Sequence, residues 1–313
     1  MRSTLLLSLL FGLIPGVLAG QESRYAADPL LLGAGARALG MGSAFVAVSD
    51  DATALYWNPA GLAQLKRTEI QAQHAEQFGG TVNHDFIAVG IPGEFGSFGV
   101  GLVRLGVDGI TLSSLEDPSL PLGSGNRPVA SGKVGTSDYT LNLGYGRTIR
   151  KNLSIGATVK LIWRNLEAGN GTGYGLDVGI HYGYQDTWRI GAVLRDATRT
   201  RITFDSGARD RIQPSLNFGA AYYRLLPSLE GQILLSASAV VNETGSEAEI
   251  GQILRSGLEY RHHKGIAARL GLEGDHFTAG AGLEPTDRIR VDIAFLENGD
   301  LDNTYRISAS LYF

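Results

Sequence analysis

From about residue 68 to residue 313 the sequence falls into short segments that alternate apolar with small or polar side chains, and this period of two restricts the fold more than any other feature. In the final segment, one face carries Tyr305, Ile307, Ala309, Leu311 and Phe313, and the other carries Arg306, Ser308, Ser310 and Tyr312. Because successive side chains of a strand point to opposite faces, the pattern predicts β-strands. About fourteen such segments can be counted between residues 68 and 313.

The composition of the two faces predicts what kind of sheet these strands form. The polar face carries Gly, Ser, Thr and isolated charges of both signs, whereas a soluble sandwich would present Lys and Glu to water. The 313 residues include 43 Gly and only 19% charged side chains, against roughly 25% charged in soluble domains. Long Gly- and Asp-rich connections, such as 106–135 and 197–211, mostly alternate with tight turns, as in outer-membrane barrels. We therefore predict an all-β fold, a closed antiparallel transmembrane barrel of about 14 strands, with a soluble β-sandwich as the alternative.

The first nineteen residues have the pattern of an export signal. Arg2 precedes an apolar run from Leu5 to Leu18, and Val17-Leu18-Ala19 supplies small residues at the cleavage position. The run is shorter than the roughly 17–25 residues that a spanning helix needs. We predict a signal peptide over residues 1–19 and a location in the bacterial outer membrane, in contact with its lipid.

The chain between the signal and the first strand does not alternate, and it predicts a helical plug. A barrel of about 14 strands encloses a lumen that wall side chains alone do not fill. Within residues 20–66, Pro59 excludes helical geometry at Asn58, so that Asn58-Pro59-Ala60-Gly61 predicts a sharp turn between two short helices. We predict that residues 20–66 form a plug, or hatch, inside a barrel of residues 67–313. Seven charged residues on the predicted lumen face are expected to brace it: Lys160, Asp177, Arg189, Arg269, Glu273, Arg290 and Asp292.

The sequence lacks the motifs of several kinds of catalytic and binding site. The chain has no Cys and no basic block, which excludes thiolate chemistry and argues against a nucleic-acid partner. No Gly-x-Ser-x-Gly elbow occurs, and the adjacent residues His262 and His263 would point to opposite faces of a strand. We predict no cofactor, no metal site and no catalytic residue. A lipid-acting barrel enzyme that uses a Ser with His181 remains a minor alternative.

The segment before the strands resembles a known family. Residues 35–51, Gly-Ala-Arg-Ala-Leu-Gly-Met-Gly-Ser-Ala-Phe-Val-Ala-Val-Ser-Asp-Asp, and residues 54–62, Ala-Leu-Tyr-Trp-Asn-Pro-Ala-Gly-Leu, resemble the opening of PorV/PorQ proteins. They are similar, more distantly, to the FadL-type transporters of long-chain fatty acids. The resemblance implies a fourteen-stranded outer-membrane barrel with an N-terminal hatch.

The resemblance leaves two functions open. PorV-type proteins act in type IX secretion, which would make exported cargo or secretion-machinery proteins the partners and loops 106–135 and 197–211 the contact sites. FadL-type proteins pass hydrophobic molecules such as fatty acids through a kinked strand, and here Gly96, Gly99 and Gly101 would permit a kink. The first function is our main hypothesis and the hydrophobic-solute channel is the alternative; neither is enzymatic.

Overall fold

The computed structural model describes residues 32–77, 80–166, 169–242, 254–297 and 303–313. The predicted signal peptide, residues 1–19, lies outside this part of the chain. Within it, no helix has both the length and the apolar character of a membrane-crossing helix. The helices are short: α1 (Ala36–Leu39), α2 (Ala54–Trp57) and two 3₁₀ helices, Pro59–Gln64 and Pro227–Leu229.

Strands make up most of the described chain. They are β1 (Glu69–Gln77), β2 (Val82–Ile91), β3 (Ser97–Leu115), β4 (Pro128–Arg150), β5 (Leu153–Leu166), β6 (Gly169–Tyr184), β7 (Trp188–Arg195), β8 (Arg201–Phe204), β9 (Arg209–Arg211), β10 (Ser215–Leu226), β11 (Gly231–Asn242), β12 (Leu254–His262), β13 (Ile266–Glu273), β14 (His276–Thr286), β15 (Ile289–Leu296) and β16 (Thr304–Tyr312).

These strands form one closed antiparallel barrel. Each wall strand is hydrogen-bonded to its neighbours in the chain, and β1 closes the ring on β16, from the pair Glu69–Tyr312 to the pair Glu76–Tyr305. Because β8 and β9 continue the lines of β7 and β10, the sixteen strands make a wall of fourteen. The predicted closed barrel of 14 strands is confirmed.

The seventh wall strand is interrupted between β7 and β8. From the Val178–Leu194 pair to the Tyr174–Arg201 pair, β6 advances by four residues, whereas the strand beside it advances by seven. The extra residues form a bulge at 196–200, in which Asp196 and Arg199 adopt positive φ angles of 53° and 55°. Asp196 and Thr200 are buried. A bulge bends its strand and aims side chains away from the regular pleat.

The two faces of the wall differ as the alternation predicts. Ile155, Val178 and Ile307 are 44%, 44% and 51% exposed, so that they face outward rather than a dry interior between two sheets. Their neighbours Ser154, Asp177 and Ser308 are buried and face inward. An apolar outer surface with a polar inner surface is the arrangement of a barrel in lipid, and it rules out the sandwich.

The predicted loops 106–135 and 197–211 are largely strand. β3 and β4 continue pairing beyond the wall, as far as the Leu115–Pro128 pair, and form a projecting hairpin whose side chains are mostly exposed. Loop 197–211 contains β8 and β9. The opposite end of the barrel has short turns such as 151–152 and 185–187, and it also carries the C-terminus, where the Phe313 N–H bonds the Thr68 carbonyl at 3.0 Å. Short turns mark the periplasmic end of such barrels.

Residues 33–64, here called the inner segment, lie inside the ring of strands. Leu39, Phe45, Leu55 and Leu62 are almost fully buried. Contacts reach strands right around the wall: Ala36 N–H donates to Ser308 Oγ on β16, Gly42 N–H to Thr278 Oγ1 on β14, and Thr158 Oγ1 on β5 donates to the Leu55 carbonyl. The inner segment therefore occupies the lumen.

Glycines on the inner wall let the inner segment approach the strands closely. A Cβ on Gly146 would lie 2.6 Å from the Pro59 carbonyl oxygen, and one on Gly99 would lie 2.9 Å from the Leu55 side chain. Gly156, Gly257 and Gly271 meet inner-segment backbone in the same way. This close approach accounts for part of the high glycine content.

Candidate functional site

A closed ring of six alternating charges joins the inner segment to the wall. In order around it stand Arg37, Asp51, Arg290, Asp292, Arg269 and Glu259, each within 2.6 to 3.3 Å of the next. Arg37 holds Glu259 through two hydrogen bonds, of 2.9 and 3.0 Å. All six side chains are at most 5% exposed. Three positive and three negative charges compensate one another, as buried charges require.

Asp50 extends this ring toward β7. Its carboxylate lies 2.5 Å from Arg37 Nη1 and 3.8 Å from Arg189 Nη1. Burial by itself raises the pKa of Asp50, but the positive charges of Arg37 and Arg189 outweigh it and lower the pKa below its usual value. Burial by itself lowers the pKa of Arg37, but the carboxylates of Asp50, Glu259 and Asp51 outweigh it and raise the pKa above its usual value. Both groups are therefore charged at neutral pH.

A second cluster anchors the bulge at 196–200. Lys160 Nζ on β5 lies 2.8 Å from Asp177 Oδ1 and 2.5 Å from Asp196 Oδ1. Thr200 Oγ1 donates to Asp196 at 2.5 Å. Beside it, Arg195 donates to the Tyr56 carbonyl and stacks on the Tyr56 ring, 4.7 Å from its centroid. The bulge thus contacts the wall, and Arg195, the residue before it, contacts the inner segment.

All seven predicted lumen charges make polar contacts, but not all with the inner segment: Lys160 and Asp177 lie in the cluster at the bulge, Arg269 and Asp292 bind wall residues of the ring, and Arg290 binds Asp51. Beyond the residues already described, Arg189 donates to the Val48 carbonyl, and Glu273 accepts from Ser43 Oγ at 2.7 Å. Sequence reasoning missed Arg37, Asp51 and Glu259. Glu259 could have been predicted, because it lies two residues from Gly257 on β12 and therefore points to the same inner face. Arg37 and Asp51 lie in a segment without alternation, so their positions could not be predicted in this way.

The turn Asn58-Pro59-Ala60-Gly61 lies against the wall between β4 and β7. Asn58 Oδ1 accepts from the Ala60 N–H at 3.1 Å and so caps the 3₁₀ helix, with Pro59 at its first position. The Asn58 amide donates to the Val46 carbonyl and, across to β6, to the Ile180 carbonyl, at 3.0 and 3.2 Å. Gly61 packs on the Ser49 backbone, with no room for a Cβ. This turn therefore ties two stretches of the inner segment to each other and to the wall.

The structure places no kink at Gly96, Gly99 and Gly101. Pairing of β3 with β2 runs from Phe98 to Val107 without a shift in register, and pairing with β4 is unbroken over the same stretch. Gly99 and Gly101 face Leu55, and Gly96 precedes the strand beside the Tyr145 ring. The interruption of the wall lies at 196–200 instead, where the sequence contains a single Ala among polar residues and no Gly.

The histidines lie in structural contacts. His181 faces inward, where Nε2 contacts the Val46 carbonyl at 2.7 Å and Nδ1 contacts Gln64 Nε2 at 3.0 Å. His262 and His263, which strand parity would separate, converge on Glu230 because the strand ends at His262. There the Lys264 N–H donates to His262 Nδ1, so that neutral His262 carries its proton on Nε2, the atom that faces Glu230. A metal would have to displace that proton and reverse the tautomer.

Comparison with solved structures shows the fold. CymD, a monoaromatic hydrocarbon channel, superposes with a TM-score of 0.62 at 12% identity, covering 90% of this chain and 98% of its own. The toluene transporter TodX of Pseudomonas putida has a TM-score of 0.57 at 14% identity, covering 90% and 97%. A FadL homologue of Pseudomonas aeruginosa gives 0.54 at 12%, covering 87% and 97%. The chain thus has the fold of these outer-membrane barrels, and its apolar belt locates it in the bacterial outer membrane.

Comparison with protein families gives one further result. The model of UPF0164, described as an uncharacterised protein family, matches residues 18–204. This range includes the inner segment and the wall as far as the end of β8, with the bulge inside it. No curated protein matches the chain.

Proposed function

Because the chain belongs to UPF0164, an uncharacterised protein family, and has a FadL-like barrel, we propose that it is an outer-membrane channel for hydrophobic small molecules, with the inner segment as its hatch. The observation that carries the proposal is the interrupted wall strand at 196–200. It interrupts the regular ladder beside β6, where a backbone hydrogen bond, from the Ala197 N–H to the Leu176 carbonyl, bridges the bulge. Arg195, the residue before the bulge, contacts Tyr56 of the inner segment. A solute that leaves the lumen sideways needs such a discontinuity, because unbroken pairing seals a barrel wall.

The lining at the hatch suits an apolar solute. Phe45, Leu55 and Trp57 of the inner segment belong to one buried cluster with Phe86 and Val103 of the wall. Side chains of this kind supply most of the surface of small-molecule sites. The charged ring lies on the β12–β15 side, away from Phe86 and Val103 on β2 and β3. Movement of the part of the hatch that carries Leu55 and Trp57 would expose the apolar side to a solute while Arg37 and Asp51 stayed paired in the ring. The solute class proposed here is aromatic or aliphatic hydrocarbon.

Stapling the wall above the bulge tests the channel. Thr172 on β6 and Thr203 on β8 are directly paired, and both side chains are exposed. Because the chain has no Cys, the variant T172C/T203C contains one engineered pair, at the short spacing of cross-strand neighbours. We expect oxidation to reduce uptake of radiolabelled toluene by cells that lack other hydrocarbon channels, and dithiothreitol to restore it.

The matched control is L143C/V159C, a directly paired and outward-facing site between β4 and β5. Oxidation of this control should leave uptake unchanged. Equal uptake by oxidised and reduced T172C/T203C would contradict an exit at the bulge. Uptake no greater than in cells without the protein would contradict the channel itself.

Type IX secretion, our main hypothesis from the sequence, now ranks second. It rests on the resemblance of residues 35–62 to PorV/PorQ proteins, whereas the family that matches is UPF0164. The projecting β3–β4 hairpin, with Leu120 and Leu122 exposed at its tip, is the surface that such a role would use.

A further inference from the structure

Three arginines lie together on the outer face of the β8–β9 hairpin. Arg201 is directly opposite Arg211, and Arg209 is two residues from Arg211 on the same side of β9. Arg201 is also directly opposite Tyr174 of β6, whose side chain is 60% exposed. Residues that are directly opposite share a face of the sheet. The three arginines, here called the arginine patch, therefore point away from the lumen.

The patch lies at the height of the outer membrane interface. On β6, exposed apolar side chains run from Tyr174 to Tyr184, and Trp188 marks the same periplasmic edge. The ten steps from Tyr174 to Tyr184, at about 3.3 Å each and tilted by about 40°, span a band of roughly 25 Å. Trp163 and Tyr174 mark its other edge, the position of the aromatic girdle. Since Arg201 pairs with Tyr174, the patch lies where lipid head groups begin.

A pocket of about 440 Å³ opens between the patch and these aromatic rings. Its lining includes Trp163, Tyr174 and all three arginines. Asp210 also borders it, but among the described residues none of the three arginines has a carboxylate within ion-pair distance, Asp210 included. The patch therefore lacks a compensating anion. Its like charges, which face each other across two strands, repel one another.

We propose that the arginine patch binds the phosphate of an anionic lipid in the outer leaflet, with the lipid chains along Trp163, Tyr174 and Leu161. Guanidinium groups bind phosphate oxygens in paired, charge-assisted hydrogen bonds. The neighbouring apolar belt favours a phosphate that is attached to hydrocarbon over a free ion. The bound lipid would hold the hairpin beyond the bulge against the wall. This site is independent of the proposed channel, because it lies on the outside of the barrel.

Native mass spectrometry of the full chain in detergent tests the proposal. The probes are phosphatidylglycerol, phosphatidylcholine with the same acyl chains, and inorganic phosphate. We expect the unchanged protein to retain phosphatidylglycerol in preference to phosphatidylcholine, and millimolar inorganic phosphate not to displace it. The variant R201Q/R211Q should bind phosphatidylglycerol about tenfold more weakly or worse, because it loses the charge-assisted hydrogen bonds of two guanidinium groups. Tenfold corresponds to about 1.4 kcal/mol.

Two further variants make the result specific. R127Q/K133Q removes two exposed positive charges from the projecting hairpin and should bind as the unchanged protein does. R201K/R211K keeps the charge and should retain most of the affinity. Heat-modifiable migration on gels checks folding, and R209Q replaces the double variant if that one does not fold. Equal loss in R201Q/R211Q and R127Q/K133Q, equal retention of the two lipids, or displacement by inorganic phosphate would each overturn the proposal.

Discussion

At the scale of single residues, the close contact between wall and inner segment depends on glycines, which have no Cβ atom. A Cβ on Gly156 would lie 2.5 Å from the Ala60 nitrogen and would also overlap the Pro59 backbone. Backbone cannot move aside as the end of a flexible side chain can. Gly183, on the neighbouring strand, has no heavy atom within 4 Å of the same position.

We predict that Gly156→Ala lowers the free energy of unfolding by about 1–3 kcal/mol, the usual cost of overpacking. The measurement is urea unfolding in detergent, followed by tryptophan fluorescence. Gly183→Ala should change the free energy by less than about 0.5 kcal/mol, as substitutions in open positions do. An equal effect of the two variants would show that close packing on Pro59 is not what Gly156 provides.

Residue-scale reasoning from sequence depended on strand parity. Lys160, Asp177 and Arg269 could be placed on the lumen face because every second side chain of a strand points to the same face of the sheet. Their partners could not be read in the same way, since Arg37 and Asp51 belong to a segment without a period. Asp196 was missed because it lies in a bulge, where the parity is interrupted.

At the scale of elements, the inner segment is held by charges as much as by apolar contacts. Asp50 binds Arg37 and Arg189, and its lowered pKa makes this contribution dependent on pH. A depressed pKa in the folded state means that the stabilisation is complete above the unfolded-state value, roughly 3.9, and is lost as the pH falls through the lower folded-state value.

We predict that Asp50→Asn lowers the melting temperature at pH 6, and that the difference from the unchanged protein shrinks as the pH falls below about 4. Protonated Asp50 and the asparagine that replaces it are both neutral, which is why the two proteins converge. Differential scanning fluorimetry in detergent measures the effect. Asp275→Asn, whose carboxylate is 85% exposed, is the control and should change little at either pH. A difference as large at pH 3 as at pH 6 would contradict an ionised Asp50 in the folded state.

The position of the strand interruption was not predictable from glycine content. The wall glycines at 99 and 101 meet Leu55 within a regular ladder, whereas the bulge at 196–200 has no glycine. Instead, Lys160 on β5 and Asp177 on β6 hold Asp196 in place, together with Thr200 of the bulge itself. Tertiary contacts can impose positive φ at residues that would not adopt it alone.

At the scale of the whole molecule, the inner segment separates two states of the barrel. With the segment in place, its buried side chains occupy the lumen. An empty barrel of fourteen strands would leave a water-filled passage, since its diameter lies between the filled eight-stranded and open sixteen-stranded cases. The lumen charges would then face water and need no partner.

We predict that Arg37→Glu opens the barrel to ions. The substituted carboxylate would face Glu259, Asp50 and Asp51, so that attraction becomes repulsion at the centre of the ring. Planar-bilayer recordings should show stable conductance steps for this variant where the unchanged protein shows none. Arg127→Glu, on the projecting hairpin, should behave as the unchanged protein. Silent membranes with a folded Arg37→Glu protein would mean that other contacts suffice to hold the segment.

The sequence alone determined the closed barrel, its strand number and its outward apolar face, because period-two alternation is a local property that each strand carries independently. The structure decided which charges meet around the inner segment, where the seventh wall strand breaks, and which arginines gather beside the outer aromatic rings. Those arrangements join residues as distant as Arg37 and Glu259. Their geometry follows from closure of the ring and from the register of every pair, and no local pattern contains it.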